Sequence, residues 1–192
     1  MTVHAYTPVA IQRSVAAGVK CIEHGHLMDE ATARLMAEKG IWLSTQPLPE
    51  ELANAFPPGS QERAKFQQVY AGTDKVYNFA KNYKIKTAFG TDIIFSQALA
   101  QRQGVLLASL VRWYTPAEIL KMATSENAQL LALSGLRSPY TGKLGVVEEG
   151  ALADLLLVDG NPLENIKLIE DPAKNFLVIM KDGKVYKNLA TR

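Results

Sequence analysis

The chain has three histidines, and all stand within its first 26 residues: His4, His24 and His26. Imidazole carries protons near neutral pH and ligates metal through a neutral ring nitrogen. His4 lies in Val3-His4-Ala5, a short strand-like start. His24 ends the run Val19-Lys20-Cys21-Ile22-Glu23, and Gly25 then lets the chain turn before His26. A third stretch of the same form, Thr87-Ala88-Phe89-Gly90-Thr91, ends in the carboxylate of Asp92. Neutral imidazoles and a carboxylate around a divalent cation, with one position open, are a donor set for activating water. Each residue has a plainer role. A lone histidine at a strand end is commonly just hydrogen-bonded, and Gly-Thr-Asp is commonly a turn with a helix cap. The repetition of one form at three strand ends favours the ligand reading for His4, His24 and Asp92.

Such residues need elements to present them, and the chain supplies an alternation. Pro8 suits the first turn of a helix over 9–17, after the strand of His4. Asp29 reads as the cap of a helix beginning at Glu30, and Gly40 ends it. Ile41 to Thr45 is a third strand. Gln46 to Ser60 holds four prolines and a glycine, and reads as a lid or substrate wall, or as a solvated excursion. Gln61 to Tyr83 is expected as one long helix with Phe66, Val69, Tyr70, Val76, Tyr77 and Phe79 facing the core. Lys86 to Phe89 is the fourth strand. Strand and helix in alternation argue an α/β parallel sheet.

Gln101 to Arg112 reads as helical. Thr115-Pro116-Ala117-Glu118 has the form of a capping box opening the next helix, which restarts at Ser125 and ends near Gly135. After Gly142 the texture changes to short extended segments: Leu144 to Val147, Ala153 to Val158, and Phe176 to Met180 joined to Lys184-Val185-Tyr186 through an Asp-Gly turn. This gives two expected domains, 1–134 and 135–192.

Composition limits the partners. Hydrophobic content is 47%, charged content 21%, and 21 basic residues against 19 acidic ones leave a formal charge of +2. The basic residues are scattered, so no nucleic-acid partner is expected. No apolar run reaches spanning length, so no membrane role is expected either. The lone Cys21 has no internal disulfide partner, which favours a reducing, cytoplasmic setting.

Three stretches together carry a family resemblance: Val3-His4-Ala5-Tyr6, Ile22-Glu23-His24-Gly25 and Phe89-Gly90-Thr91-Asp92. The tail Gly150-Ala151-Leu152-Ala153-Asp154-Leu155, with Lys181-Asp182-Gly183-Lys184-Val185, adds to it. The chain resembles the carboxyl-terminal half of a metal-dependent amidohydrolase, of the imidazolonepropionase-like and Xaa-Pro dipeptidase-like branch. The resemblance implies strands 5–8 of a (βα)8 TIM barrel followed by strands of a small β-sandwich domain. It implies one or two divalent metals, zinc foremost, held by His4 and His24, and by Asp92, which takes a proton from the attacking water. Beside the resemblance, which gives His26 no settled role, Tyr6 and His26 are candidate substrate-binding residues; packing competes for Tyr6, and simply lining the pocket or facing solvent competes for His26.

The implied reaction is hydrolysis of a C–N bond in an amide, a peptide such as an Xaa-Pro dipeptide, or a cyclic amide. The family's His-x-His pair on the first strand and carboxylated lysine on the fourth have no counterpart here. A full barrel takes about 250 residues. The residues therefore predict weak zinc binding and no appreciable turnover by residues 1–192 alone. The alternative is a non-catalytic half-barrel. In either case unpaired strand edges predict a homo-oligomer, or pairing with an amino-terminal half-barrel.

Overall fold

In the computed structural model, residues 1–93 and 97–190 are described. The chain divides into two compact units, Met1–Asp92 and Ile93–Arg192.

The first unit alternates as its sequence does. Its elements are β1 (Thr2–Ala5), α1 (Pro8–Ala16), β2 (Cys21–His24), α2 (Glu30–Glu38) and β3 (Trp42–Thr45). A 3-10 segment, Glu50–Ala55, follows, then α3 (Gln61–Ala71), α4 (Thr73–Asn82) and β4 (Thr87–Phe89). The four strands lie side by side in chain order, β1-β2-β3-β4, all parallel. Helix α2 starts where Asp29 accepts a hydrogen bond from the Thr32 amide at 2.8 Å.

The register sorts the side chains into two faces. Ala5, Ile22, Leu43 and Thr87 are buried on one, and the buried residues Ile11, Ala33, Met36, Val76, Tyr77 and Ala80 supply the apolar sides of α1, α2 and α4. The Tyr77 hydroxyl donates to the Thr45 carbonyl at 3.3 Å, tying α4 to the end of β3. On the other face His4, Glu23 and Ser44 follow the pairing from strand to strand, with Thr2 level with Cys21. The Thr2 hydroxyl donates to Glu23 Oε1 at 2.6 Å.

The long helix expected over 61–83 is two helices, α3 and α4, meeting at Gly72. A Cβ at Gly72 would lie 2.1 Å from the His26 carbonyl oxygen. The helix is broken where the loop after β2 crosses it. The aromatic stripe divides at the same point. Val76 and Tyr77 are fully buried, whereas α3 buries no residue. Phe66 of α3 instead packs against Phe56 and Tyr70, ring centroids 5.8 and 6.1 Å away.

The second unit holds α5 (Gln97–Ala100), α6 (Gln103–Ser109), a 3-10 turn at Leu110–Arg112, and α7 (Pro116–Lys121). The chain continues through a wide π turn at Met122–Glu126 into α8 (Asn127–Ala132). Thr115 and Glu118 form the expected capping box. β5 (Leu155–Val158), α9 (Pro172–Asn175), β6 (Phe176–Lys181) and β7 (Lys184–Asn188) complete it, the strands forming an antiparallel sheet in the order β5-β6-β7. Asp182 and Gly183 have φ of 49° and 72°, the left-handed pair that a tight hairpin requires. Leu144–Val147, expected to be extended, forms no strand. Pairing there is a lone bridge between Lys143 and Ala151.

The spatial division falls at 92/93, while the boundary expected from sequence falls at 134/135. The reason is that α6 packs on the 3-10 segment Ile166–Glu170. A Cβ at Gly104 would stand 2.0 Å from the Ile169 carbonyl oxygen, so helix and segment touch backbone to backbone. Among the described residues no helix is long and apolar enough to cross a membrane.

Candidate active site

Strand alternation would send the His24 side chain to the helix-covered face, two residues after Ile22. Its φ of 77° takes it out of that alternation, and Gly25 follows at 69°. A left-handed conformation costs a non-glycine residue about 1–2 kcal/mol. Neighbours hold it in place. The Thr45 hydroxyl donates to the His24 carbonyl at 2.7 Å, and the Gly25 amide donates to the Ala5 carbonyl at 3.0 Å. The Gly25 side of the turn is closed: a Cβ there would lie 2.7 Å from Met28 Cε and 2.9 Å from Leu43 Cδ1.

The consequence is a meeting of rings. His4 Nδ1 and His24 Nε2 are 2.6 Å apart. On its other nitrogen, His24 Nδ1 is 2.9 Å from Gln46 Oε1. Tyr6 stacks on His24, with centroids 4.5 Å apart and planes within 7°. Burial and the nearby Asp92 charge both raise the Tyr6 pKa, burial the more, so its phenol keeps its proton at neutral pH.

His26 has a different role from its neighbours. It is fully buried, and its Nε2 donates to the Gln46 carbonyl at 3.1 Å. A carbonyl only accepts, so the proton is on Nε2, and Nδ1 finds no partner among the described residues. Burial lowers its pKa to about 4, and the ring is neutral. Its backbone carbonyl is the atom on which Gly72 rests.

Asp92 is exposed at the end of the first unit, with φ of 50°. Its charge reaches Tyr6. Among the described residues, no three His, Cys, Asp or Glu side chains gather as a metal cluster. The structure thus brings His4, His24 and Tyr6 together, with His26 behind them, and leaves Asp92 outside that direct contact.

Two imidazole nitrogens bound to one tetrahedral zinc at about 2.0–2.1 Å each would stand about 3.3 Å apart. The His4 and His24 nitrogens already face each other at 2.6 Å, so the rings need part by less than about 1 Å to admit a cation. As a two-imidazole portion of a metal centre, the donors present fit.

Gln46 is the residue that sequence reasoning missed. It read as the first residue of a proline-rich loop. The available signal was its position: it directly follows β3, as Gly25 follows β2, and so belongs to the same layer of strand ends.

The family model for the amidohydrolase family matches residues 1–187. The chain is a member of that family. It is 31% identical over 197 aligned residues to ochratoxinase from Aspergillus niger, a match covering 97% of this chain and 38% of the relative. A crystal structure of a prolidase complexed with N-methylphosphonate-L-proline superposes with a TM-score of 0.84 at 31% identity, over 97% of this chain and 45% of that one. A Xaa-Pro dipeptidase with bound methionine in its active site gives 0.78 at 30%, over 97% and 44%. This amidohydrolase chain thus spans less than half the length of these relatives. Its α/β fold is that of a portion of the amidohydrolase barrel proteins.

Proposed function

We propose that this amidohydrolase chain contributes to metal-dependent hydrolysis of a C–N bond, with Xaa-Pro dipeptides the first substrates to try. One observation carries the reading: in a chain of this family, the ring nitrogens of two histidines from adjacent parallel strands face each other at 2.6 Å. The relatives named prolidase and Xaa-Pro dipeptidase support the substrate class.

His4 through Nδ1 and His24 through Nε2 would hold a divalent metal, zinc foremost. Such a metal lowers the pKa of water towards 7 and polarises the scissile carbonyl. Asp92 serves as the proton acceptor for the attacking water. The Tyr6 phenol, kept protonated by burial and by Asp92, donates a hydrogen bond towards a substrate oxygen. His26, neutral and buried, supports the loop. In this reading β1 to β4 stand as strands 5–8 of the barrel, and residues beyond this chain complete the ligand set against the outer strands.

The test is reconstitution. Residues 1–192 are co-expressed with the remaining barrel strands of a Xaa-Pro dipeptidase as a separate polypeptide. Zinc-dependent release of proline is expected, lost in Asp92→Asn with the circular dichroism unchanged. Residues 1–192 alone should give no appreciable turnover. A co-purified, folded complex that hydrolyses neither Xaa-Pro dipeptides nor N-acyl amino acids with zinc present would overturn the reading.

A further inference from the structure

Gln46 touches both buried histidines in different ways, and the difference is informative. Its backbone carbonyl holds His26, and its side chain holds His24. The side-chain contact determines which nitrogen of His24 carries the proton. With Oε1 as the facing atom, Gln46 only accepts, so His24 Nδ1 must donate. With its ring proton on Nδ1, the His24 imidazole presents a lone pair at Nε2. That lone pair faces His4 Nδ1 at 2.6 Å. The stacked Tyr6 ring fixes the remaining freedom of the imidazole, its tilt about the hydrogen-bonded axis.

We propose that Gln46 is a positioning residue that locks His24 in the Nδ1–H tautomer, so that Nε2 is the nitrogen offered to a divalent cation shared with His4. This rests on the metal reading of the pair for its consequence, though not for the tautomer itself. Outer partners of ligating histidines act in this way, and their loss typically weakens metal affinity 10- to 100-fold.

A built-in control comes with the geometry. Replacing the Gln46 side chain leaves its backbone carbonyl in place, so the His26 contact should survive. The experiment is nitrogen-15 NMR of the histidine rings in zinc-free residues 1–192, followed by zinc titration. Three proteins are compared: wild type, Gln46→Leu and Gln46→Glu. In the wild type, His24 Nδ1 should resonate as the proton-bearing nitrogen and Nε2 as the bare one. Gln46→Leu should mix the two tautomers of His24, leave the His26 ring signals unchanged, and weaken zinc binding 10-fold or more. Gln46→Glu, which still accepts, should keep both the tautomer and the affinity.

A wild-type His24 protonated on Nε2 would overturn the proposal. So would Gln46→Leu with an unchanged His24 tautomer. Zinc that shifts neither His4 nor His24 in a wild type of the expected tautomer would instead sink the metal reading, leaving the lock as found.

Discussion

The two sheets of this chain are built from similarly apolar strands and end in opposite states. In the parallel sheet, Ala5, Ile22, Leu43 and Thr87 are all buried. In the antiparallel sheet, Leu156, Leu157, Val185 and Tyr186 remain 55%, 49%, 45% and 64% exposed. The strand sequences do not explain this, since Leu155-Leu156-Leu157-Val158 is more apolar than Cys21-Ile22-Glu23-His24. The connections do. β1 and β2 are each followed by a helix of nine residues, and β3 by the longer α3 and α4, enough to bring cover back over one sheet face. β5 reaches β6 through a 3-10 segment and the four-residue α9, and β6 reaches β7 through a tight turn. Apolar strand composition states a demand for cover. Connection length determines whether the chain meets it locally.

The largest expected effect separates the sheets directly. Leu43→Ala should cost about 2–5 kcal/mol in a urea melt, as a cavity in a closed core does. Leu157→Ala should stay within about 0.5 kcal/mol, as surface changes do. Equal losses, together with a melt that depends on protein concentration, would show the second sheet covered by another copy and break the contrast.

Glycine turns sharpen it next. Gly25→Ala meets both a left-handed φ and two side-chain ends, and should lose about 3 kcal/mol. Gly183→Ala in the β6–β7 hairpin has the same backbone requirement, with nothing within 4 Å, and should lose about 1 kcal/mol. A matched pair of melts checks this; equal costs would mean that crowding at Gly25 relaxes freely.

Helix caps should show no contrast, since a cap acts locally in either unit. Asp29→Ala and Thr115→Ala should each cost about 1 kcal/mol. A clear difference between them would reveal unequal support of α2 and α7.

The smallest effect is a pH dependence confined to the first sheet. Burial pushes the Cys21 thiol up to about 12, against about 8.5 for a free thiol. The unfolded chain therefore loses this proton first, and the contribution of Cys21 to stability falls as pH rises above about 8.5. Between pH 8 and 9 the wild type should lose about 0.7 kcal/mol more than Cys21→Ala does. Parallel curves would mean that the thiol is not held from solvent.

Much of this was legible in the sequence, for reasons that can be stated. Asp29, Thr115 with Glu118, and Asp182-Gly183 act within a few residues of themselves, so local pattern identifies them. His4 and His24 fall one strand apart because their strands are neighbours in chain order, and Ala5 does pair with His24. The illegible parts depend on approaches between distant segments. Nothing local says that the helix over 61–83 must break at Gly72, because the cause is the His26 carbonyl. Nothing local assigns α6 to the second unit, because the cause is Gly104 against Ile169. Gln46 looked like loop because its partners, His24 and His26, lie 22 and 20 residues away.

The left-handed turn at His24 also sets an order of events in time. β1 and β2 supply the two histidines and the Gly25–Ala5 bond, yet the other bonds that hold His24 in its costly conformation come from Thr45 and Gln46, at the far end of β3. Until β3 docks, His24 lacks both of those bonds and returns more readily to ordinary extended backbone, away from His4. The histidine pair is therefore a late product of folding, although its own strands are the earliest in the chain. Trp42, buried on β3, reports that docking by its fluorescence. In stopped-flow refolding its burial should precede the meeting of His4 with His24, and a Thr45→Val chain should bury the tryptophan on schedule while the histidines assemble more slowly.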